Sequence, residues 1–272
     1  MRKLGYRRQA LLFGVVALGL ALASALAGGR FVDPYGWIPF AAAVLVILCG
    51  ADRRTRAAWA GFGLTKAGLG AWLPAVAIPT VVLSSGYAVA ALTGNVQLSL
   101  GDRNPLLFAA FAVAVIVVGS VEAIGEELGW RGFLLPRLAD LGRVRAGLIS
   151  GVLWAAWHVP LIYVAGAYHE GAGPFYLLPF TATIVAMSFI ANELRMSTGS
   201  SWPAVVFHGA HNAIWYLLGL VTVASTGLLD GIGAESGVVP LTLYALIAVW
   251  IVIRRPAWGS QATLLRPVLP RP

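Results

Sequence analysis

Apolar residues run along this chain in long unbroken blocks, not at the spacing of a half-buried helix or strand. The blocks cover about 10–27, 35–50, 72–93, 105–126, 146–165, 174–194, 201–223 and 238–253. Short polar loops separate them at 28–34, 94–104, 166–173, 195–200 and 224–237, with a longer one at 51–71. A membrane helix needs about 17–25 predominantly apolar residues. Most blocks reach that length, and the second and eighth fall short. The pattern predicts an all-α fold, a polytopic transmembrane bundle of about eight spans. A single membrane domain is expected over 1–255, its chemistry within 120–215, with a proline-rich cytoplasmic tail over 256–272 expected to be disordered. The first block, flanked by Arg2–Arg8 and by Ala25-Leu26-Ala27, also has the three parts of a secretory signal, but its length favours a retained helix.

Composition supports the same class. Hydrophobic residues make up 59% of the chain and charged residues 11%, with mean hydropathy +0.81, against the roughly 25% charged of a soluble domain. The distribution of charge sets an orientation. With the N-terminus cytoplasmic, only Arg30 and Arg103 of the 19 basic residues fall outside. Asp33, Asp102, Glu170, Asp230 and Glu235 fall in the outer loops. This positive-inside pattern predicts both termini in the cytoplasm. The net charge of +8 therefore calls for no nucleic acid, because anionic lipid headgroups are a sufficient partner. In the 51–71 loop, Arg53, Arg54 and Arg56 read as a headgroup anchor, and an interfacial segment around 59–64 is open. The lone cysteine, Cys49, excludes an intramolecular disulfide and reads as packing.

Charged side chains at membrane depth cost roughly 2.5–3.5 kcal/mol each on insertion scales, so those that persist there point to function. Gly125-Glu126-Glu127-Leu128-Gly129-Trp130-Arg131-Gly132 closes the fourth block. At 100° per residue, Glu122 and Glu126 share one face, and Glu127 shares another with Arg131 at i,i+4. Glu127 then has an intrahelical counter-ion and a structural task. Glu126 is free to face the bundle interior as a general base. Arg131 is expected near the inner interface, where headgroups also lie. Glu122, one turn deeper, reads either as tuning Glu126 by like-charge repulsion or, the preferred reading, as a hydrogen-bond partner for another helix. Gly125 and Gly129 form a Gly-xxx-Gly pair that permits close helix approach.

Two histidine motifs follow. Trp154-Ala-Ala-Trp-His158-Val-Pro160 lies in the fifth block, with Trp154 one turn from His158 and placed to wall a site, and Trp157 turned to lipid or a neighbouring helix. The seventh block opens with Ser200-Ser201-Trp202-Pro203, a cap and a first-turn proline. It then carries His208-Gly-Ala-His211-Asn212, with His208 and Asn212 on one face. Imidazoles and an amide so placed suit either a metal or a developing oxyanion. His211 reads equally as an interhelical hydrogen bond, and His169 beside Glu170 as surface. At about 1.5 Å per residue the motifs sit at comparable depths, which implies a water-filled cavity opening to the cytoplasmic half.

Glu-Glu-xxx-Arg, aromatic-xxx-His and His-xxx-Asn, in this order on separate helices, resemble the CPBP family. These are the CAAX prenyl protease and bacteriocin-processing intramembrane endopeptidases, related to the Ras-converting enzyme. The resemblance covers roughly 105–220. It implies an eight-span hydrolase of a bacterial plasma membrane that cleaves a membrane-associated peptide or protein entering from the inner leaflet. It also implies Glu126 as the water-activating base, with His158, His208 and Asn212 completing the site. Glu127 joins this catalytic set, and Arg131 and Trp154 support it. The family's second motif commonly opens with Phe, and Trp154 stands there in this chain. Two mechanisms fit these residues. In one, zinc or another divalent cation is held by His158 and His208. In the other, no metal is needed, and neutral imidazoles and Asn212 donate to the oxyanion. A catalytically silent membrane scaffold and a proton-coupled transporter using Glu122 and Glu126 are the competing functions.

Overall fold

The computed structural model describes residues 5–27, 35–49, 59, 61–166, 173–255 and 258. Each of the eight apolar blocks is a helix: α1 Tyr6–Leu26, α2 Ile38–Cys49, α3 Trp72–Leu92, α4 Pro105–Glu127, α6 Gly142–Tyr163, α7 Leu177–Thr198, α8 Trp202–Val221 and α10 Val238–Arg254. Two short helices, α5 Leu135–Leu138 and α9 Leu229–Ile232, and two short strands, β1 Val96–Leu98 and β2 Thr222–Ser225, complete the described elements. Five stretches are long and apolar enough to cross a membrane: Tyr6–Leu26, Leu69–Leu92, Pro105–Tyr163, Pro174–Thr198 and Trp202–Val221. Tyr35–Cys49 and Val238–Arg254 are shorter apolar helices. The outward faces carry Leu11, Val15, Leu106, Val113 and Val117 in the open. Apolar surface of that extent marks a lipid-facing belt.

The loops on either side of the bundle identify its two ends. β1 and β2 pair antiparallel, Val96 opposite Ser225, so the loops after α3 and α8 meet at one end. The other end is tied by polar contacts: Arg137 to Gln9 at 2.9 Å, Ser200 to the Lys66 carbonyl at 2.5 Å, and Arg143 to Glu193 at 3.1 Å. Trp258 joins this end, its indole donating to Glu193 at 3.1 Å. The rest of the expected tail, like Arg53, Arg54, Arg56, His169 and Glu170, lies outside the described residues.

Two differences from the sequence expectation matter for the site. The helix of the fourth block does not stop at the charges. It runs on through a π-helical stretch, Leu128–Leu134, into α5. An i→i+5 turn of this kind is rare and recurs at functional sites. The segment 61–64 also does not lie along the interface. Phe62 is buried, the Gly61 carbonyl accepts from Arg195 at 2.9 Å, and the Phe62 carbonyl accepts from Ser201 at 2.7 Å. The Ser201 hydroxyl thereby ties this turn to α8 and caps no helix.

Glycines set the helix spacing around the site. A Cβ on Gly209 would stand 2.3 Å from the Ser120 backbone, and one on Gly119 would stand 2.8 Å from the Gly209 carbonyl oxygen. Only two glycines let α4 and α8 cross at this distance. The expected pair works in the same way: a Cβ on Gly125 would collide with the Gly36 carbonyl, and one on Gly129 with Pro39. These approaches bring α8 and the start of α2 against the last turns of α4 and the π-helical stretch that follows it.

Candidate active site

The two adjacent carboxylates at the end of α4 diverge. Glu126 is half-buried, and its Oε2 accepts the indole Nε1–H of Trp154 from α6 at 2.7 Å. Glu127 is fully buried, and its Oε1 accepts from Arg131 Nη1 at 2.8 Å and from His208 Nδ1 at 3.1 Å. The expected Glu127–Arg131 pair is present, and it also orients a histidine on another helix.

Arg131 does not reach out to headgroups. It is 0% exposed, its Nε donates to Asn192 Oδ1 at 3.3 Å, and its guanidinium lies 4.2 Å from the centre of the Trp154 ring. The expectation failed because the helix continues past the charges and is packed over by α2 and the 61–64 turn. Asn192 in turn donates to Ser150 at 3.0 Å. Asn192 and Ser150 had no signal in the sequence, being single polar residues within apolar blocks. Several kcal/mol of desolvation per buried ion are offset here only because the pair is close and further hydrogen-bonded.

The histidines present defined tautomers. His158 Nδ1 lies 2.9 Å from the Trp154 carbonyl oxygen, which can only accept, so Nδ1 carries the proton. His208 Nδ1 likewise donates to the Glu127 carboxylate. A ring so held, when neutral, carries its lone pair at Nε2.

Glu126, Trp154, His158, His208 and Asn212 line one cavity of about 570 Å³. Glu122 also lines it and is exposed, not buried against another helix as expected. Of its two expected placements Trp157 takes the one against neighbouring elements, packing on Trp130 and Tyr35, and not the one facing lipid. It is buried, lines the cavity, stacks edge-on against His158 at 4.7 Å between centroids, and offers its carbonyl to the Tyr35 hydroxyl at 2.8 Å.

His211 is held by hydrogen bonds on both sides, Nε2 to Glu235 at 3.0 Å and Nδ1 to the Tyr244 hydroxyl at 2.8 Å. This is the interhelical alternative read from sequence. Glu235, expected in an outer loop, is buried at the cavity wall. The segment before α10 dips to the level of mid-α8, and a lone Glu beside Ser236 and Gly237 gives no hint of that.

A metal can be tested against the donors. Histidines that ligate a metal usually fix the other ring nitrogen on a carbonyl or carboxylate, as His158 and His208 do. Catalytic zinc, however, normally takes three protein ligands. Among the described residues no group of three or more His, Cys, Asp or Glu side chains is placed to hold one ion. The donor set does not fit that kind of site.

The fold and the cavity define a polytopic membrane protein with a carboxylate–imidazole centre inside its helix bundle. Residues 107–214, which hold that centre except for its α2 and α10 walls, match the family model of type II CAAX prenyl endopeptidase Rce1-like proteins. Over 165 residues the chain is 28% identical to CAAX prenyl protease 2 of Methanococcus maripaludis, a match covering 58% of this chain and 59% of that protein. Together the two matches support the chain's membership of the CPBP family, the family anticipated from its motifs.

Proposed function

We propose that this chain is a CAAX-type intramembrane endopeptidase that cleaves a peptide bond of a membrane-associated protein or peptide. The observation that carries the proposal is the convergence of Glu126, His158, His208 and Asn212 on one cavity. The family matches support it. The relevant membrane is a bacterial plasma membrane, by resemblance to the bacteriocin-processing branch.

Glu126 takes the proton of a cavity water as it attacks the scissile carbonyl, and returns that proton to the leaving amine. Trp154 holds the carboxylate in place through its 2.7 Å hydrogen bond. The water's second O–H is accepted by an Nε2 lone pair, of His158 or of His208, which orients it. The Asn212 side-chain amide supplies N–H donors to the tetrahedral oxyanion. His208 keeps its orientation through Glu127, and Glu127 keeps its charge through Arg131. These protein groups carry the reaction, since among the described residues no three His, Cys, Asp or Glu side chains are placed to hold one ion.

The test is hydrolysis of a peptide library by the purified protein in detergent, comparing wild type with Glu126→Gln. Cleavage by the wild type alone supports the reading. Equal cleavage by both forms would refute the assignment of the base.

A further inference from the structure

We infer that the groove between α1, α5 and α6 is a binding site for an anionic phospholipid, whose acyl chains lie in the groove and whose phosphate sits on Arg7 and Arg145. The site lies apart from the active-site cavity, and no residue lines both. The inference does not depend on the peptidase reading.

The groove encloses about 720 Å³. Leu11 and Val15 of α1 stand along one wall and Leu148 and Val152 of α6 along the other, all four exposed, and Leu138 of α5 also lines it. The walls meet where Gly14 faces Leu153, a Cβ on Gly14 standing 3.5 Å from that side chain. Among the described residues Arg7 is the only polar side chain in the lining. Concave apolar sites bury most of a ligand's surface, which a convex helix face does not.

Two arginines come to one level at the head of this groove. Arg137 donates to Gln9 at 2.9 Å, which joins the segment before α6 to the start of α1, and the Gly14–Leu153 contact joins the two helices further along. The helices therefore run in the same direction. Two turns back from Gly14 stands Arg7, and two turns back from Leu153 stands Ala146, with Arg145 beside it. Arg145 shares the face of α6 that carries Leu141, Leu148 and Ile149, which all line the groove. Both arginines are exposed. Neither they nor Asp140, the acid nearest Arg145 in sequence, form an ion pair among the described residues.

The dimensions fit a lipid and not a partner helix. From Arg7 to Leu18, the lining residues of α1 rise about 16 Å, and from Leu141 to Leu153 the chain rises about 18 Å. One leaflet of hydrocarbon is about 15 Å deep, half of the roughly 30 Å core. The groove thus has the depth of one leaflet, with its cations at headgroup level. A spanning partner helix would need the full thickness. Guanidinium N–H groups grip phosphate oxygens in a bidentate fork, and a basic pair at the membrane surface adds attraction for a negative headgroup. A zwitterionic lipid offers the same phosphate but brings a cation beside two arginines. The occupant is therefore a phospholipid with a net negative headgroup.

The experiment uses the full chain, delipidated in a non-ionic detergent. Binding is read by native mass spectrometry and by the unfolding temperature, with dioleoyl phosphatidylglycerol, dioleoyl phosphatidylcholine or inorganic phosphate added. The expected result is about one retained phosphatidylglycerol per chain and a rise of about 5 °C in unfolding temperature. Phosphatidylcholine should do clearly less, and phosphate nothing. Arg7→Gln combined with Arg145→Gln should weaken phosphatidylglycerol binding about tenfold or more. Arg254→Gln, at an exposed arginine ending α10, should leave it unchanged. Val15→Trp fills the groove and should abolish retention of both lipids; Val152→Trp does the same from the opposite wall if Val15→Trp is unstable. Equal effects of the two lipids, or a phosphatidylglycerol effect untouched by the paired arginine substitutions, overturn the inference. So does stabilisation that inorganic phosphate reproduces, since that needs no groove. A dimer that the tryptophan variants dissociate, with no lipid retained, would place a second chain in the groove and also overturn it.

Discussion

The indole of Trp154 donates to the carboxylate of Glu126 across two helices at 2.7 Å, so the residue that opens the second motif positions the proposed base of the first. Trp154 also spreads its ring beneath the Arg131 guanidinium. One side chain thus touches both halves of the Glu126-Glu127-xxx-Arg131 motif.

Trp154→Phe isolates the first of these contacts. The aromatic body remains, and the N–H donor is lost. A hydrogen bond to a charged group contributes about 1.5–3 kcal/mol, so kcat should fall by about tenfold or more with KM little changed. Phe commonly opens this motif in the family, and activity should accordingly be reduced and not abolished. Steady-state kinetics on a single peptide settle it, and an unchanged kcat would remove Trp154 from the positioning of the base.

The adjacent glutamates should separate cleanly. Glu126→Gln should lose about 10²–10⁴-fold in turnover, the usual contribution of a general base, with an unfolding temperature close to wild type. Glu127→Gln leaves the Arg131 charge buried without its counter-ion, a change that costs about 3–5 kcal/mol. Its unfolding temperature in detergent should drop before any kinetic effect is measured. The reverse pattern would exchange the two roles.

His211→Ala should behave unlike His158→Ala and His208→Ala. Its two hydrogen bonds, to Glu235 and Tyr244, are protein contacts. Losing them and leaving a buried carboxylate short of one donor should cost about 1–3 kcal/mol of stability. Turnover of the folded fraction should stay within a few-fold, whereas either of the other two substitutions should leave almost none. Loss of turnover by His211→Ala at normal stability would place His211 in the chemistry.

Gly209→Ala tests the crossing of α4 and α8. The added Cβ meets the Ser120 backbone, which cannot rotate aside. Overpacking of this kind costs about 1–3 kcal/mol. Because the crossing brings Glu127 to His208, turnover should fall along with thermal stability. A variant with wild-type stability would show that the helices have room to separate.

The donor set leads to one prediction about metal content. Purified protein should hold well under one tightly bound divalent ion per chain by elemental mass spectrometry. Activity should survive chelation, with no stimulation across a zinc titration under turnover conditions. Inactivation by chelator with recovery on adding zinc would require a third ligand that the described residues do not supply.

How much was legible in the sequence follows from where each signal lies. Block lengths alone located the eight helices, because a bilayer demands long apolar runs. The i,i+4 relations within a helix, Glu127 with Arg131 and His208 with Asn212, were likewise readable, since helical periodicity dictates them. Contacts between distant blocks were not. Trp154 meets Glu126 across 28 positions and Arg131 meets Asn192 across 61, and nothing local encodes either distance. Arg131 was misplaced because a charge ending an apolar run looks the same whether it reaches headgroups or is folded inward. Glu235 was misplaced because the segment that carries it re-enters the bundle.

The Glu127–Arg131 pair has a consequence for how the chain is made. Both charges lie on one helix, four residues apart, so α4 brings its own counter-ion when it enters the bilayer. Asn192 and His208, which later hold the pair, are synthesised 61 and 81 positions after their partners. During that interval the helix can reside in lipid as a net-neutral pair at this point, without waiting for the later spans. The centre itself is assembled only when α8 arrives, so the nascent chain stays without a complete site until seven of its eight long helices have been inserted.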